Sequence, residues 1–336
     1  MKADSIKSEL EYYASTVNNF ILAFVEGKPK GLYHASSHYI RTGGKRLRPF
    51  MVIKGCEMLG GSAKRAMPAA AAVELVHNFT LVHDDIMDND EMRHGTATVH
   101  RYYGMPLAIL AGDILFSKAF ELLTFHCRKV GVPDKSITDM IARLSFACTE
   151  ICEGQAIDVE VASSTKFPSV QQYIDMIGKK TATLFEVSCA LGALSAPNHT
   201  TNDIRSLSSF GRNIGIAFQL VDDLIGVIGD PKLTGKAAGN DIREGKKTYP
   251  ILLALKNASK EDAEKIKKVF GTRRKALSQD IREAVRIISD TGIEQEVRNE
   301  ARRYMHEAIK SIEGYGNSDA RRSLQFSADF VVDRSL

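Results

Sequence analysis

The chain is poor in what would mark it as secreted, membrane-spanning or dedicated to nucleic acid. Its five cysteines, Cys56, Cys127, Cys148, Cys152 and Cys189, are odd in number and too sparse for a disulfide framework. Cys148 and Cys152 share a helix face by spacing, but no further residues at zinc-ligand spacing accompany them, so both are expected to be reduced, buried and structural. No stretch reaches the ~18 uncharged apolar residues of a membrane span, and Met1-Lys2-Ala3-Asp4-Ser5 opens on polar sequence rather than the apolar core of a signal peptide. Lys and Arg number 45 against 41 Asp and Glu, which is short of the basic excess of a dedicated nucleic-acid binder. These absences lead to the expectation of a cytoplasmic protein with no integral membrane segment, open to anionic small molecules as partners.

Strand-like alternation is nearly absent too, and there is no Pro- or Ser-rich linker and no clear repeat. Ala, Leu, Met, Glu and Lys instead fill long helical patterns, expected at Ser5–Glu26, Pro49–Leu59, Pro68–Asp88, Leu107–Lys129, Lys135–Ser163, Ser169–Ala193, Asn202–Ile228, Thr248–Asn257 and much of 260–313. Gly60-Gly61, Gly131-Val132-Pro133 and Gly229-Asp230-Pro231 punctuate them. The expectation is an all-α fold, and 336 residues suffice for one large domain or two ordinary ones. The dense charges from Lys256 to Arg322, including Lys265-Ile266-Lys267-Lys268 and Arg273-Arg274-Lys275, have no interleaved aromatics and read as a solvated face.

Against this background two acidic clusters stand out, Asp84-Asp85-Ile86-Met87-Asp88 and Asp222-Asp223, each following an apolar helical run. A carboxylate beside an apolar stripe loses hydration, so clustered ones call for cations or protonation. Asp84 and Asp88 are four apart and Asp85 and Asp88 three apart, which places them on one helix surface. Gly95 and Gly229-Asp230-Pro231 lie beyond the clusters, which puts both toward helix C-termini, where negative charge opposes the dipole. An oxygen-only donor set suits Mg²⁺. A solvated acidic helix end is the ordinary reading of either cluster alone; their pairing with basic motifs favours metal.

The principal basic motif is Thr42-Gly43-Gly44-Lys45-Arg46-Leu47-Arg48-Pro49, which joins glycine backbone to three cations and fits an anion cradle. It lacks the further glycine and preceding strand of a Walker loop. Other cations recur at Arg93-His94, Lys179-Lys180-Thr181, Lys236 and Lys246-Lys247-Thr248. Acids for Mg²⁺ beside separate cationic patches fit two diphosphate-bearing substrates, and no Ser-His-Asp set or reactive-cysteine signature competes.

Taken in order, Gly-Gly-Lys-Arg-Leu-Arg-Pro at 43–49, His-Asp-Asp-Ile-Met-Asp at 83–88, Arg93 ahead of Gly95, Gly154-Gln155-Ala-Ile-Asp158, Lys180-Thr181 and Phe218-Gln219-Leu-Val-Asp222-Asp223 resemble the trans-prenyl diphosphate synthases. The resemblance covers roughly residues 10–334. It implies a single all-α domain over 1–336, an isoprenoid-synthase helical bundle around a central cavity, commonly a homodimer. It also implies Mg²⁺-dependent head-to-tail 1′-4 condensation of isopentenyl diphosphate with an allylic diphosphate. By the same likeness, three Mg²⁺ ions are held by Asp84, Asp88 and Asp222, with Asp85 and Asp223 in close support. Arg93, Lys180 and Lys236 contact the allylic diphosphate, and Thr181 and Gln219 lie near the developing cation. Gly44, Lys45, Arg48 and His77 hold isopentenyl diphosphate, and the released diphosphate accepts the proton.

Two positions depart from the family pattern. His94 stands where most relatives have a second arginine toward isopentenyl diphosphate, which implies weaker binding and a steeper pH dependence. Gly226 stands where the second motif often ends in aspartate, leaving water or Asp230 to complete the shell. Phe79 and Thr80, five and four residues before Asp84, resemble the archaeal short-chain geranylgeranyl type, in which an aromatic at the fifth position floors the cavity, with Val76 lining the next layer. A C20 product is the first expectation and a C15 farnesyl product the alternative. A noncatalytic modulatory subunit, kept open by His94 and Gly226, would show no activity in isolation. A terpene cyclase would not need the second diphosphate cradle.

Overall fold

The computed structural model describes residues 3–93, 95–229, 239–271 and 277–332. His94, Asp230, Lys236 and the Arg273-Arg274-Lys275 run lie outside the described residues. Among those described, regular structure is helical apart from one ribbon, Met92–Arg93 (β1) antiparallel to Thr96–Ala97 (β2), with Arg93 opposite Thr96. The all-α expectation holds.

In chain order the helices are α1 (Ala3–Phe24), α2 (Lys30–Ser36), α3 (His38–Arg41), α4 (Leu47–Met58), α5 (Ala63–Asp88), α6 (Val99–Tyr103), α7 (Met105–Glu121), α8 (Cys127–Lys129), α9 (Asp134–Ser163), α10 (Val170–Ile177), α11 (Thr183–Ser195) and α12 (Thr201–Ile228). Helices at Asn240–Glu244, Tyr249–Asn257, Lys260–Val269, Ser278–Asp290, Ile293–Ser311 and Asp319–Val332 follow. Two expected continuous helices contain π-helical stretches instead, at Leu122–His126 and Gly178–Ala182.

The chain divides into two compact units. The first comprises Met1–Cys148, Leu184–Gly211 and Ile312–Phe326. Its central element is α5, which packs against α4 and α7. Ala69, Ala70, Ala71, Ala72, Val73, Leu75 and Val76 are all fully buried, so this part of the helix, apart from the buried Glu74, is apolar and needs neighbours on every side. The helix begins earlier than Pro68 because Ser62 caps it, its side chain accepting from the Arg65 N–H at 3.4 Å. It stops at Asp88, short of Gly95, because Asn89 takes the left-handed conformation (φ 53°) and its N–H bonds back to Asp85 O and Ile86 O. Near the N-terminus, Lys54 of α4 is buried between Glu9 (2.5 Å) and Glu57 (2.7 Å) and ties α1 to α4.

The second unit comprises Thr149–Thr183, Arg212–Ser311 and Ser327–Leu336. Ile242, Ile251, Ile266, Ile281, Ile288, Ile293 and Val297 are buried in it. The charge-dense run carries local ion pairs at helical spacing, such as Lys265–Glu261 at 2.9 Å and Arg298–Glu294 at 3.0 Å. Pairs of this kind contribute roughly 0.3–0.5 kcal/mol each, so they add little to the stability of the fold.

Candidate active site

In the first unit the acidic motif occupies the last turn of α5. Asp85 points inward and is 1% exposed; Asp84 is half-buried and Asp88 exposed. Asp85 Oδ2 accepts from the Tyr39 hydroxyl. Its Oδ1 accepts from Arg93 Nε at 2.7 Å, with Nη2 at 2.6 Å. The Tyr39 oxygen in turn accepts from the Val99 N–H at 3.3 Å. Burial, and then the Asp85 carboxylate, push the Tyr39 phenol above its usual range. Burial works against the Arg93 charge, but the bond to Asp85 outweighs it and the guanidinium holds its proton more tightly than usual.

The basic motif runs from the end of α3 into the first turn of α4 and splits in a way its sequence does not announce. Gly43 and Gly44 have φ of 87° and 139°, and Arg46 is left-handed at 48°. Contrary to a cradle of three cations, Arg46 turns into the protein. It donates to Asn18 Oδ1 (2.7 Å), Glu74 Oε1 (2.7 Å) and Ile40 O (3.1 Å). Glu74 is buried, and burial raises its carboxyl despite the opposing charges of Arg46 and Arg48. A buried carboxylate needs such a partner, and Arg46 is committed to it. Lys45 stays exposed. Arg48 lies with its guanidinium carbon 4.1 Å from the Phe185 ring centroid and donates from Nη1 to His77 Nε2 at 3.4 Å. The structure thus brings Arg48 and His77 together.

Below the acidic motif, the Phe79 ring meets His83 at 4.8 Å and Phe116 of α7 at 5.2 Å, and Phe116 meets Phe120 at 5.1 Å. Thr80 donates to His77 O at 2.8 Å, and Val76 is fully buried.

In the second unit Asp223 is buried and accepts from the Tyr173 hydroxyl at Oδ2 and from Gln219 Nε2 at Oδ1, the latter at 2.8 Å. Gln219 Oε1 accepts from the Thr181 hydroxyl at 2.8 Å. Asp222 is half-buried. Lys180 and Thr181 sit on the π-helical stretch, a feature often found at functional sites. Lys180 Nζ pairs with Asp158 Oδ2 at 2.5 Å, and Lys179 pairs with Glu153. A side chain at Gly154 would strike the Lys180 backbone, so glycine there lets α9 approach close enough for Asp158 to reach Lys180.

The other sequence candidates fall less neatly. Lys246 pairs with Glu244 at 2.8 Å. Lys247 is buried and donates to Val161 O and Ser164 O, both at 2.6 Å, closing the end of α9; burial depresses its pKa. Cys152 is exposed, not buried, while Cys56, Cys127, Cys148 and Cys189 are buried, and all five are free thiols. Among the described residues no three His, Cys, Asp or Glu side chains form a ready-made metal cage.

The polyprenyl synthetase family model matches residues 29–288. The chain belongs to this family. A curated relative, the geranylgeranyl diphosphate synthase of Sulfolobus acidocaldarius, is 40% identical over 95% of the chain and 96% of its own length. The geranylfarnesyl diphosphate synthase of Aeropyrum pernix is 38% identical over 95% and 99%. The polyprenyl synthase of Caulobacter crescentus, solved with calcium and isoprenyl diphosphate, is 31% identical and superposes with a TM-score of 0.88, covering 100% of the chain and 98% of its own. The chain is accordingly a short-chain prenyltransferase of isoprenoid biosynthesis with the isoprenoid-synthase helical fold.

Within this polyprenyl synthetase, sequence reasoning missed Tyr39, Tyr173 and Phe116, each of which touches a motif residue. Asp158 was part of a recognised motif but without a task. Gly226 has a local counterpart: a Cβ there would run into the Asp241 carboxylate, so the missing side chain leaves room for an acid from the helix Asn240–Glu244.

Proposed function

We propose that the chain joins isopentenyl diphosphate to allylic diphosphates head to tail, with Mg²⁺, and releases the C20 product geranylgeranyl diphosphate. The observation that supports this most directly is the division of charge within the first unit. The acidic end of α5, Asp84 to Asp88, lies about two turns beyond His77 of the same helix, where Arg48 of α4 bonds that imidazole and Lys45 sits just ahead of α4. Two anionic groups handled in different ways, one through metal and one by side chains, would use such a division.

The donor set fits the metal: the carboxylates are oxygen-only, lie at a helix end that adds negative potential, and leave Asp85 out because its acceptors are already engaged. Asp84, Asp88 and Asp222 are the residues that would hold Mg²⁺, three ions by family resemblance. Bound Mg²⁺ supplies Lewis-acid stabilisation of the charge that develops on the departing diphosphate. Mg²⁺ usually keeps waters and substrate phosphates among its ligands, so a preformed protein cage is not required.

The chain's own groups divide the remaining tasks. Arg93, Lys180 and Lys236 bind the allylic diphosphate. Gly44, Lys45, Arg48 and His77 hold isopentenyl diphosphate, and by family resemblance His94 stands at a further position for that substrate. Gln219 Oε1 and the Thr181 hydroxyl oxygen offer neutral dipoles to the allylic carbon as its C–O bond breaks. The isopentenyl double bond attacks that carbon, and the proton then lost passes to the released diphosphate.

Phe79, backed by Phe116, supports a C20 limit, because an aromatic pair beneath the acidic motif blocks further growth of the chain. The outward residues Met105, Ile109 and Leu110 of α7 and Phe146 of α9 are exposed and apolar, which supports a homodimer. No helix among the described residues is long and apolar enough to cross a membrane, and we place the protein in the cytoplasm.

The test is product analysis after incubating the purified chain with isopentenyl diphosphate, Mg²⁺ and dimethylallyl, geranyl or farnesyl diphosphate, beside an EDTA control. Metal-dependent C20 diphosphate is the expected result. A C15 or C25 product would keep the chemistry and overturn the assigned floor. No elongation from any starter would overturn the function.

A further inference from the structure

Two tyrosines far apart in the chain do the same thing. Tyr39 lies 46 residues from Asp85, and Tyr173 lies 50 residues from Asp223. Each is buried, and each hydroxyl donates to Oδ2 of the inner carboxylate of an Asp-Asp pair. In both cases Oδ1 accepts from a longer side chain, Arg93 in the first unit and Gln219 in the second. A carboxylate bound at one oxygen by a rigid ring has its plane fixed, because rotation would break that bond. The second oxygen then dictates where its own donor sits. The Val99 N–H, bonded to the Tyr39 oxygen, fixes that hydroxyl from the far side.

We propose that Tyr39 and Tyr173 are positioning residues for prenyl transfer: each pins the inner aspartate of its pair, so that Asp85 aims Arg93 at the diphosphate and Asp223 aims Gln219 and Thr181 at the electron-poor allylic carbon. The proposal rests on the function given above and adds two residues that touch neither substrate. It also assigns them unlike consequences. Loss of the Tyr39 hydroxyl frees the anchor of a cation and is felt in anion binding. Loss of the Tyr173 hydroxyl frees the anchor of a neutral hydrogen-bonded chain and is felt in the bond-breaking step.

The experiment compares the full-length chain with Tyr39→Phe and Tyr173→Phe, using calorimetry with inorganic diphosphate and Mg²⁺ together with steady-state kinetics. Tyr39→Phe is expected to weaken diphosphate binding and raise KM for the allylic substrate by about tenfold, the size set by a hydrogen bond to a charged group, with kcat within about twofold. Tyr173→Phe is expected to leave diphosphate binding within about twofold and lower kcat by about tenfold. Equal effects in the two variants, or none in either, would overturn the proposal, since loosened packing alone has no reason to separate KM from kcat. If melting shows that a Phe variant is unfolded at the assay temperature, the same binding and rate measurements are made below its melting transition, and the same split must appear there. A wild-type chain that elongates nothing would overturn the prenyl-transfer reading and the Tyr173 half with it. Calorimetry would still decide the Tyr39 half.

Discussion

The Asp-Asp pair of α5 and the Asp-Asp pair of α12 are built alike up to one atom and differently beyond it. In both, the outer acid stays partly accessible and the inner acid is buried against a tyrosine. The inner acid of the first pair then holds a guanidinium, and that of the second holds an amide whose oxygen holds a hydroxyl. A cation suits a region that binds a diphosphate. In the proposed reaction the neutral dipoles of Gln219 and Thr181 suit positive charge growing on carbon, while the neighbouring Lys180 is paired with Asp158. The same two letters in sequence therefore hold donors of unlike charge, and the residue bonded at Oδ1 of the inner acid makes the difference.

If the outer acids carry the same task in both regions, Asp84→Ala and Asp222→Ala should each lower kcat/KM by roughly 10²–10³-fold at saturating Mg²⁺. A large loss in one and none in the other would break the likeness. The proposed floor would give the first region a further task in the Phe79–Phe116 pair. Phe79→Ala should move the product to C25 or longer, with Phe116→Ala acting in the same direction, both read by chromatography of the hydrolysed products. An unchanged distribution in both variants would leave the floor elsewhere.

Stability separates the regions more finely. Asp85→Ala leaves a largely buried guanidinium without its partner and should cost about 3–5 kcal/mol in urea unfolding. Asp223→Ala leaves only neutral donors and should cost about 1–3 kcal/mol. Equal losses would mean that the charge on Arg93 is not what distinguishes the pairs. The smallest effect concerns thiols. Burial pushes Cys56 and Cys127 of the first unit up to about 12, so at pH 8 their thiolates are scarce as well as shielded. Cys152, in the second unit, is exposed. Alkylation of the native protein should label Cys152 quickly and leave Cys56 and Cys127 for the unfolded chain.

Much of this was readable beforehand, for physical reasons that particular residues make plain. The 3.6-residue apolar period located most long helices, because burial of a stripe is what stabilises them. Asp84 and Asp88 could be placed on one surface from spacing alone. The tyrosines could not, since a hydrogen bond across 46 or 50 residues leaves no local periodic trace. Arg46 was equally opaque: three cations within four residues look alike until Glu74 is seen to claim one of them. Nor could a missing acid at 226 be matched with Asp241, because their neighbourhood depends on the helix Asn240–Glu244, which is too short to show a period. The hydrophobic pattern encodes which face is inward, while the polar pairings depend on which inward faces meet.

The widened turn at Gly178–Ala182 has a consequence for phase. Tyr173 and Thr181 both reach partners on α12, at Asp223 and Gln219. Eight residues of uninterrupted α-helix, at about 100° each, would leave the two side chains roughly 80° apart around the axis. A turn that absorbs one extra residue reduces the effective count to seven and the mismatch to about 20°. The bulge therefore works as a vernier: it adds a side chain to the stretch carrying Lys179 and Lys180 without turning Tyr173 away from the helix it grips. Removing one residue there should leave both grips in register and take away a lysine, so the basic stretch could shorten while the bonded frame beside it stayed fixed.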